Sequence, residues 1–197
     1  WQYDGKQHAD GGYTVTYGDE TYTVKAGESA TLSTGDKVTA VIEKQVKLVS
    51  DTKTGNNEIV TLTIENANQY ANVVTEAGTL TITRKPLTIT ADSDDKEYDG
   101  TPLTKDSYTN SELVKDETIE SVTITGSITQ VGSVDNVPSA AVIKAGSEDV
   151  TANYDITYVP GKLIISASTK ELKVIANSNS WQYDGKQHAD GGYTVTY

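Results

Sequence analysis

The seventeen residues WQYDGKQHADGGYTVTY, from Trp1 to Tyr17, recur without a change as Trp181 to Tyr197, an offset of 180 residues (181 − 1). Identity over such a length is not chance, and it restricts the chain to a modular array in which one unit is used again. A fainter repeat is nested inside the first. KPLTITADSDDKEYDG (Lys85 to Gly100) aligns without a gap with KELKVIANSNSWQYDG (Lys170 to Gly185). Tyr-Asp-Gly therefore occurs three times, starting at Tyr3, Tyr98 and Tyr183, at steps of 95 (98 − 3) and 85 (183 − 98) residues. GTLTIT (Gly78 to Thr83) matches GKLIIS (Gly161 to Ser166), and LSTGDKV (Leu32 to Val38) matches LVKDETI (Leu113 to Ile119). Two related domains alternate. The expected divisions are 1–84, 85–168, and 169–197 as the opening of the next copy of the first domain.

Period-two alternation marks the strands: Thr14 to Tyr17, Tyr22 to Lys25, Val60 to Glu65, Thr79 to Thr83, Leu87 to Ala91, Ser121 to Thr129 and Lys162 to Ser166. Each is short and fenced by Gly, Asn or Asp. Lys37 to Val49 has partial helical spacing, but its β-branched content and its alignment with Ser121 to Val131 favour strand. Turns are expected at Gly11-Gly12, Gly55-Asn56-Asn57, Asp135-Asn136 and Pro160-Gly161. The pattern predicts an all-β chain: two tandem antiparallel β-sandwich (Ig-like) domains in an extended rod, with a β-grasp-like fold carrying a short helix as the alternative. Arg84-Lys85 and Ser168-Thr169-Lys170 are linkers short enough to restrict orientation. Stiffness is expected from that shortness, not from a large apolar interface.

Each unit opens with a strand of the type Leu87 to Ala91, about a dozen residues before its Tyr-Asp-Gly. The first unit is expected to lack that strand, and the equivalent Leu172 to Ala176 stands at the far end of the chain. Head-to-tail completion of one copy by residues 170–197 of its neighbour is the expected self-association, because an unpaired strand edge is a template for pairing.

Composition narrows the function. With no Cys there is no disulfide framework, thiolate metal site or thiol nucleophile. A net charge of −12 opposes nucleic acid or an anionic membrane surface as partner, since both demand a basic face. No apolar run approaches the ~18–20 residues that cross a bilayer.

Lys-x-Leu-x-Ile/Val-x-Ala followed by Tyr-Asp-Gly, with NYDITYVPGKLII (Asn153 to Ile165) as the closing segment, resembles the YDG and MBG domain families, repeated modules of large bacterial (Gram-positive) surface adhesins. The resemblance covers residues 85–168 throughout and the first unit at its two ends. It implies an extracellular module, at the cell surface or attached to the cell wall, and it brings no catalytic residues.

Candidate sites are few. Asp92, Asp94, Asp95 and Asp99 form the densest carboxylate group, of a kind calcium favours. The aligned Asn177-Ser178-Asn179-Ser180 and the lack of a calcium-loop spacing point instead to a solvated turn. In Tyr-Asp-Gly, Gly is expected to supply unusual backbone angles, Asp to cap the turn and Tyr to pack at the sandwich end; sugar recognition is the competing role. Lys85 or Lys170 with Asn153 is the candidate isopeptide pair. His8 and His188 lie in no Ser-His-Asp or zinc-ligand pattern. Thr61, Thr63, Thr79, Thr81, Thr83, Thr88 and Thr90 are expected on wet strand faces. No catalytic, cofactor or metal residue is assigned, and the chain is read as a non-enzyme. The expected role is a stalk or spacer in a surface adhesin or fibre. The alternative is weak binding of glycan, mucin or host protein through avidity, with Trp1 beside Tyr3 as a sugar platform.

Overall fold

The computed structural model describes residues 1–197. It is all-β, with three 3-10 turns of three residues each and no α-helix. The helix required by a β-grasp arrangement is therefore missing. The alternating, β-branched sequence is the cause, since it offers no apolar stripe at helical spacing.

Residues 1–84 carry β1 (His8–Ala9), β2 (Tyr13–Tyr17), β3 (Glu20–Val24), β4 (Ala30–Thr31), β5 (Lys37–Val41), β6 (Gln45–Val46) and β7 (Thr61–Ile64). The ambiguous stretch Lys37 to Val49 thus holds two strands, β5 and β6, and ends where a 3-10 turn begins at Val49. Strands β2 and β3 form a hairpin, β4-β5-β7 a second sheet, and β1 pairs with β6. Residues 85–168 carry β8 (Lys85–Ala91), β9 (Asp94–Glu97), β10 (Tyr108–Asn110), β11 (Glu117–Thr125), β12 (Gly132–Ala145), β13 (Glu148–Asp149), β14 (Tyr154–Val159) and β15 (Gly161–Ser166). The last segment holds β16 (Lys173–Ala176) and β17 (Tyr193–Thr196), paired with each other.

Two expectations change here. Pairing is not wholly antiparallel: β14 runs parallel to β8, and β15 parallel to β9. After β8 the chain crosses to the second sheet and returns, so its closing strands run beside its opening ones in the same direction. The turn expected at Asp135-Asn136 is instead the interior of β12. The first part of β12 pairs with β15 and the remainder with β11. Asn136 is fully buried at that crossover and donates through Nδ2 to the carbonyls of Asp92 (2.9 Å) and Lys105 (2.8 Å). A buried polar side chain that finds two acceptors holds a strand where its type suggests a turn. Ala140, at φ 49°, sits where the β11–β12 register slips, which is the signature of a bulge.

The largest core does not belong to one unit. Tyr3, Val46, Leu80 and Ile82 from the first join Leu87, Ile89, Ala141, Ile143, Val150 and Tyr154 from the second. This overturns the expectation that linker length alone would stiffen the chain. Each Val, Leu or Ile buried there contributes about 1.5–3 kcal/mol, so packing holds the joint in addition to the short linker. Alternation explains the arrangement: in β8, Leu87, Ile89 and Ala91 face inward, and Leu80 and Ile82 reach the joint from the other side. A smaller core of Val24, Ala30, Leu32 and Val38 serves the first unit alone. Leu103, Leu163 and Ile165 fill the far end of the second.

Candidate functional site: the joint between the units

The joint is built around one acid. Glu117, at the start of β11, is buried, and each of its carboxylate oxygens accepts a phenol. Tyr3 OH donates to Oε1 at 2.6 Å from the first unit; Tyr154 OH donates to Oε2 at 2.5 Å from the second. The Tyr154 oxygen also accepts the Val114 N–H at 2.9 Å, and the two rings meet edge to face with centroids 5.8 Å apart. A buried carboxylate is costly unless its lone pairs are met. Here two charge-assisted bonds meet them.

Local sequence places each partner. Tyr3 is held by a short parallel bridge, its N–H bonding to Thr83 O at 2.9 Å, beside the last residues of its own unit. Tyr154 follows the 3-10 turn Thr151–Asn153, and Asn153 within that turn accepts the Val49 N–H through Oδ1 at 2.9 Å. Arg84 Nε donates to Ala152 O at 3.1 Å, adding a further strut. Gly5 has φ 75°, and a Cβ there would meet Val114 Cγ1 at 2.8 Å. The glycine thus serves both the turn and the close approach to the next unit. A polar cleft of about 370 Å3, lined in part by Lys6, Lys47, Lys115 and Glu148, opens beside the joint.

The three Tyr-Asp-Gly copies share one turn and differ in contacts. In each, the Asp Oδ1 accepts the N–H two residues on, from Lys6, Thr101 or Lys186. Tyr98 N–H bonds to Ser166 O just as Tyr3 N–H bonds to Thr83 O. Tyr3 is 2% exposed, Tyr98 40% and Tyr183 95%. The motif is one turn, and of its three tyrosines Tyr3 enters the core of the following unit. The first unit also repeats the acid: Asp36, aligned with Glu117, accepts Tyr70 OH at 2.6 Å and Asn66 Nδ2 at 2.7 Å. Tyr70 follows its own 3-10 turn, Ala67–Gln69, as Tyr154 does. Those bonds, Tyr70's first, hold the Asp36 carboxyl below the usual range.

Residues 87–164 match the family model of the MBG domain, YGX type. The second unit is an MBG domain. No curated protein and no solved structure matches the chain. The match suggests a surface-protein repeat domain over those residues, and the joint described above lies at the MBG domain's edge toward the first unit. Glu117, Tyr154, Leu87, Ile89 and Ile143 all fall within the matched residues.

The residues singled out in the sequence lie partly at this joint and partly away from it. Asp92 accepts Ser107 Oγ, Asp94 lies 3.5 Å from Lys105 Nζ, and Asp99 accepts Lys96 and Thr101. These acids turn to separate partners instead of one centre. Asn153 spends its carboxamide oxygen on Val49, and the buried acid near it holds tyrosines, not a Lys–Asn pair. His8 Nε2 lies 2.9 Å from Asp4 Oδ1 and stacks on Trp1, 5.0 Å between centroids. His188, Asp184 and Trp181 repeat that cluster. Trp1 is therefore partnered by His8, while Tyr3 is buried in the joint; the two do not form a platform. The threonines face outward, with only Thr90 half-buried. Sequence reasoning passed over Glu117 and Tyr154. The available signal was the alignment of Asp36 with Glu117, an acid kept at one place between a leucine and a β-branched residue in two otherwise divergent units.

Burial first, then the bond to Glu117, holds the Tyr3 phenol well above its ordinary 10.0, and the same two causes act on Tyr154. Above pH 10 the unfolded chain loses these protons while the folded one keeps them. The unfolded state then binds fewer protons, so stability falls as pH rises. Below pH 10 the contribution is fully present. A spectrophotometric titration should show two of the 12 tyrosines ionising last, together with loss of the joint. Ionisation of all of them near pH 10 with the fold intact would contradict the site.

Proposed function

We propose that the chain is a non-catalytic structural spacer, a segment of an extracellular, cell-surface stalk or fibre in which stiff joints hold successive units in line. One observation carries this reading: a ten-residue core straddles the two units and is closed by Tyr3, Glu117 and Tyr154. A spacer has to transmit orientation from unit to unit, and a shared, hydrogen-bonded core does so better than a flexible tether. Repetition suits the same role, because length comes from copy number. No helix is long and apolar enough to cross a membrane. The competing reading, weak glycan binding, rests on Trp1 and Trp181, which are 47% and 46% exposed. Each gives one indole face to a histidine, leaving half a platform.

Residual dipolar couplings test the spacer. Amides of residues 1–84 and of the MBG domain should fit a single alignment tensor. Two independent tensors would mean a hinge, and the spacer reading would fail. Adding mucin-type oligosaccharides should leave the tryptophan fluorescence unchanged.

A further inference from the structure

We propose that Tyr3 and Tyr154 form a modification site for small one-electron oxidants, at which the two phenol rings couple through a carbon–carbon bond and tie the units together covalently. The rings meet edge to face with centroids 5.8 Å apart, and their hydroxyls end on the two oxygens of one carboxylate, Glu117, at 2.6 and 2.5 Å. Phenol coupling has two requirements, and this arrangement meets both. Because the hydroxyls converge, the ring carbons ortho to them, where an oxidised phenol carries much of its unpaired electron, are drawn together as well. A phenol also gives up its proton as it gives up its electron, and here an acceptor is already bonded to each proton. Tyr17 and Tyr70 stand equally close, with centroids 5.7 Å apart, but only Tyr70 reaches an acid, Asp36. Coupling is therefore expected at the joint and not at that second pair.

The composition leaves little to compete for the oxidant. Cys and Met are the side chains that oxidants convert readily, and the chain has neither. Tyr3 and Glu117 line the polar cleft of about 370 Å3, which opens a way in for a small oxidant and a way out for protons. The oxidant belongs to the class of peroxide-derived radicals, of which the carbonate radical is the simplest case. Each phenol loses one electron and one proton. The electrons reduce two carbonate radicals to carbonate; one proton passes to Glu117 and the other to water in the cleft. The two phenoxyl radicals then join at their ortho carbons. Each of those carbons gives up its hydrogen as a proton while its oxygen takes one back, which restores two phenols. Two electrons and two protons leave in all. The bond forms whether or not the array serves as a stalk.

Radiolysis of the dilute full chain in bicarbonate buffer, followed by peptide mapping with mass spectrometry, tests the site. The wild type should give an intrachain link between the peptides that hold Tyr3 and Tyr154, lighter than their sum by two hydrogen atoms and fluorescent as a biphenol. Tyr3→Phe should lose that product. Glu117→Gln, whose amide cannot take the proton, should form it about a hundredfold more slowly, the low end of what a positioned proton acceptor contributes. Residual dipolar couplings that still fit one alignment tensor would show that the E117Q joint is in place and that proton transfer is what was lost. Links confined to the exposed Tyr183, Tyr193 and Tyr197, a link from Tyr17 to Tyr70 in place of the one at the joint, or an E117Q rate equal to that of the wild type would each overturn the proposal.

Discussion

Replacing Glu117 by alanine is expected to destabilise the joint by about 2–4 kcal/mol. The reasoning is local. The substitution strands the hydroxyls of Tyr3 and Tyr154 without their acceptor, and a buried hydroxyl left unpaired costs about 1–3 kcal/mol. Two such losses are offset in part, because the carboxylate no longer has to be buried and water can enter from the adjoining cleft. Glu117→Gln keeps one good acceptor and should cost about half as much. Tyr3→Phe removes one bond and leaves the other oxygen served by Tyr154. Because the three groups form one network, the double variant E117A/Y3F should be less destabilised than the sum of the single ones, by about 1 kcal/mol or more. Urea denaturation monitored by tyrosine absorbance would measure all four. Additive effects, or a cost for E117A below about 0.5 kcal/mol, the ordinary range for a surface substitution, would mean that the acid does not couple the units.

Much of this arrangement was readable beforehand because it follows from periodicity. Leu87, Ile89 and Ala91 alternate with Pro86, Thr88 and Thr90, and the first set is buried as that spacing requires. The turn role of Tyr-Asp-Gly was readable for a similar reason. Gly5 and Gly100 have positive φ, and Asp4 and Asp99 cap the turn. The destination of Tyr3 was not readable. Alternation says that a side chain points inward but not into whose interior, and Tyr3 enters the neighbour's. Parallel pairing escaped for the same reason, since strand direction depends on where the chain crosses between sheets. At Asn136 the local preference for a turn was overruled by two half-buried carbonyls, Asp92 and Lys105, that lie far from it in sequence. The candidate site was visible only through the internal repeat, as the alignment of Asp36 with Glu117. What that acid bonds to is a matter of tertiary placement.

The second large effect concerns Ile82. It belongs to the first unit and is 2% exposed, with its N–H on Thr52 Oγ1 at 2.8 Å and its side chain in the core shared with the MBG domain. Ile82→Ala should cost about 2–5 kcal/mol, the lost transfer energy plus the cavity left behind. More telling than the size is where the loss is felt. If the units were independent, only residues 1–84 would lose protection against amide exchange. With one core across the joint, the amides of β8 and β12 should lose protection as well. Two comparisons fix the interpretation. Val38→Ala lies in the core private to the first unit and should leave β8 and β12 protected. Leu163→Ala, at the far end of the MBG domain and fully buried, should weaken β15 and β9 without reaching β2 or β3. Should I82A behave as V38A does, each unit would fold for itself. The joint would then be a contact and not a shared core, and a stalk assembled from such units would bend at every junction.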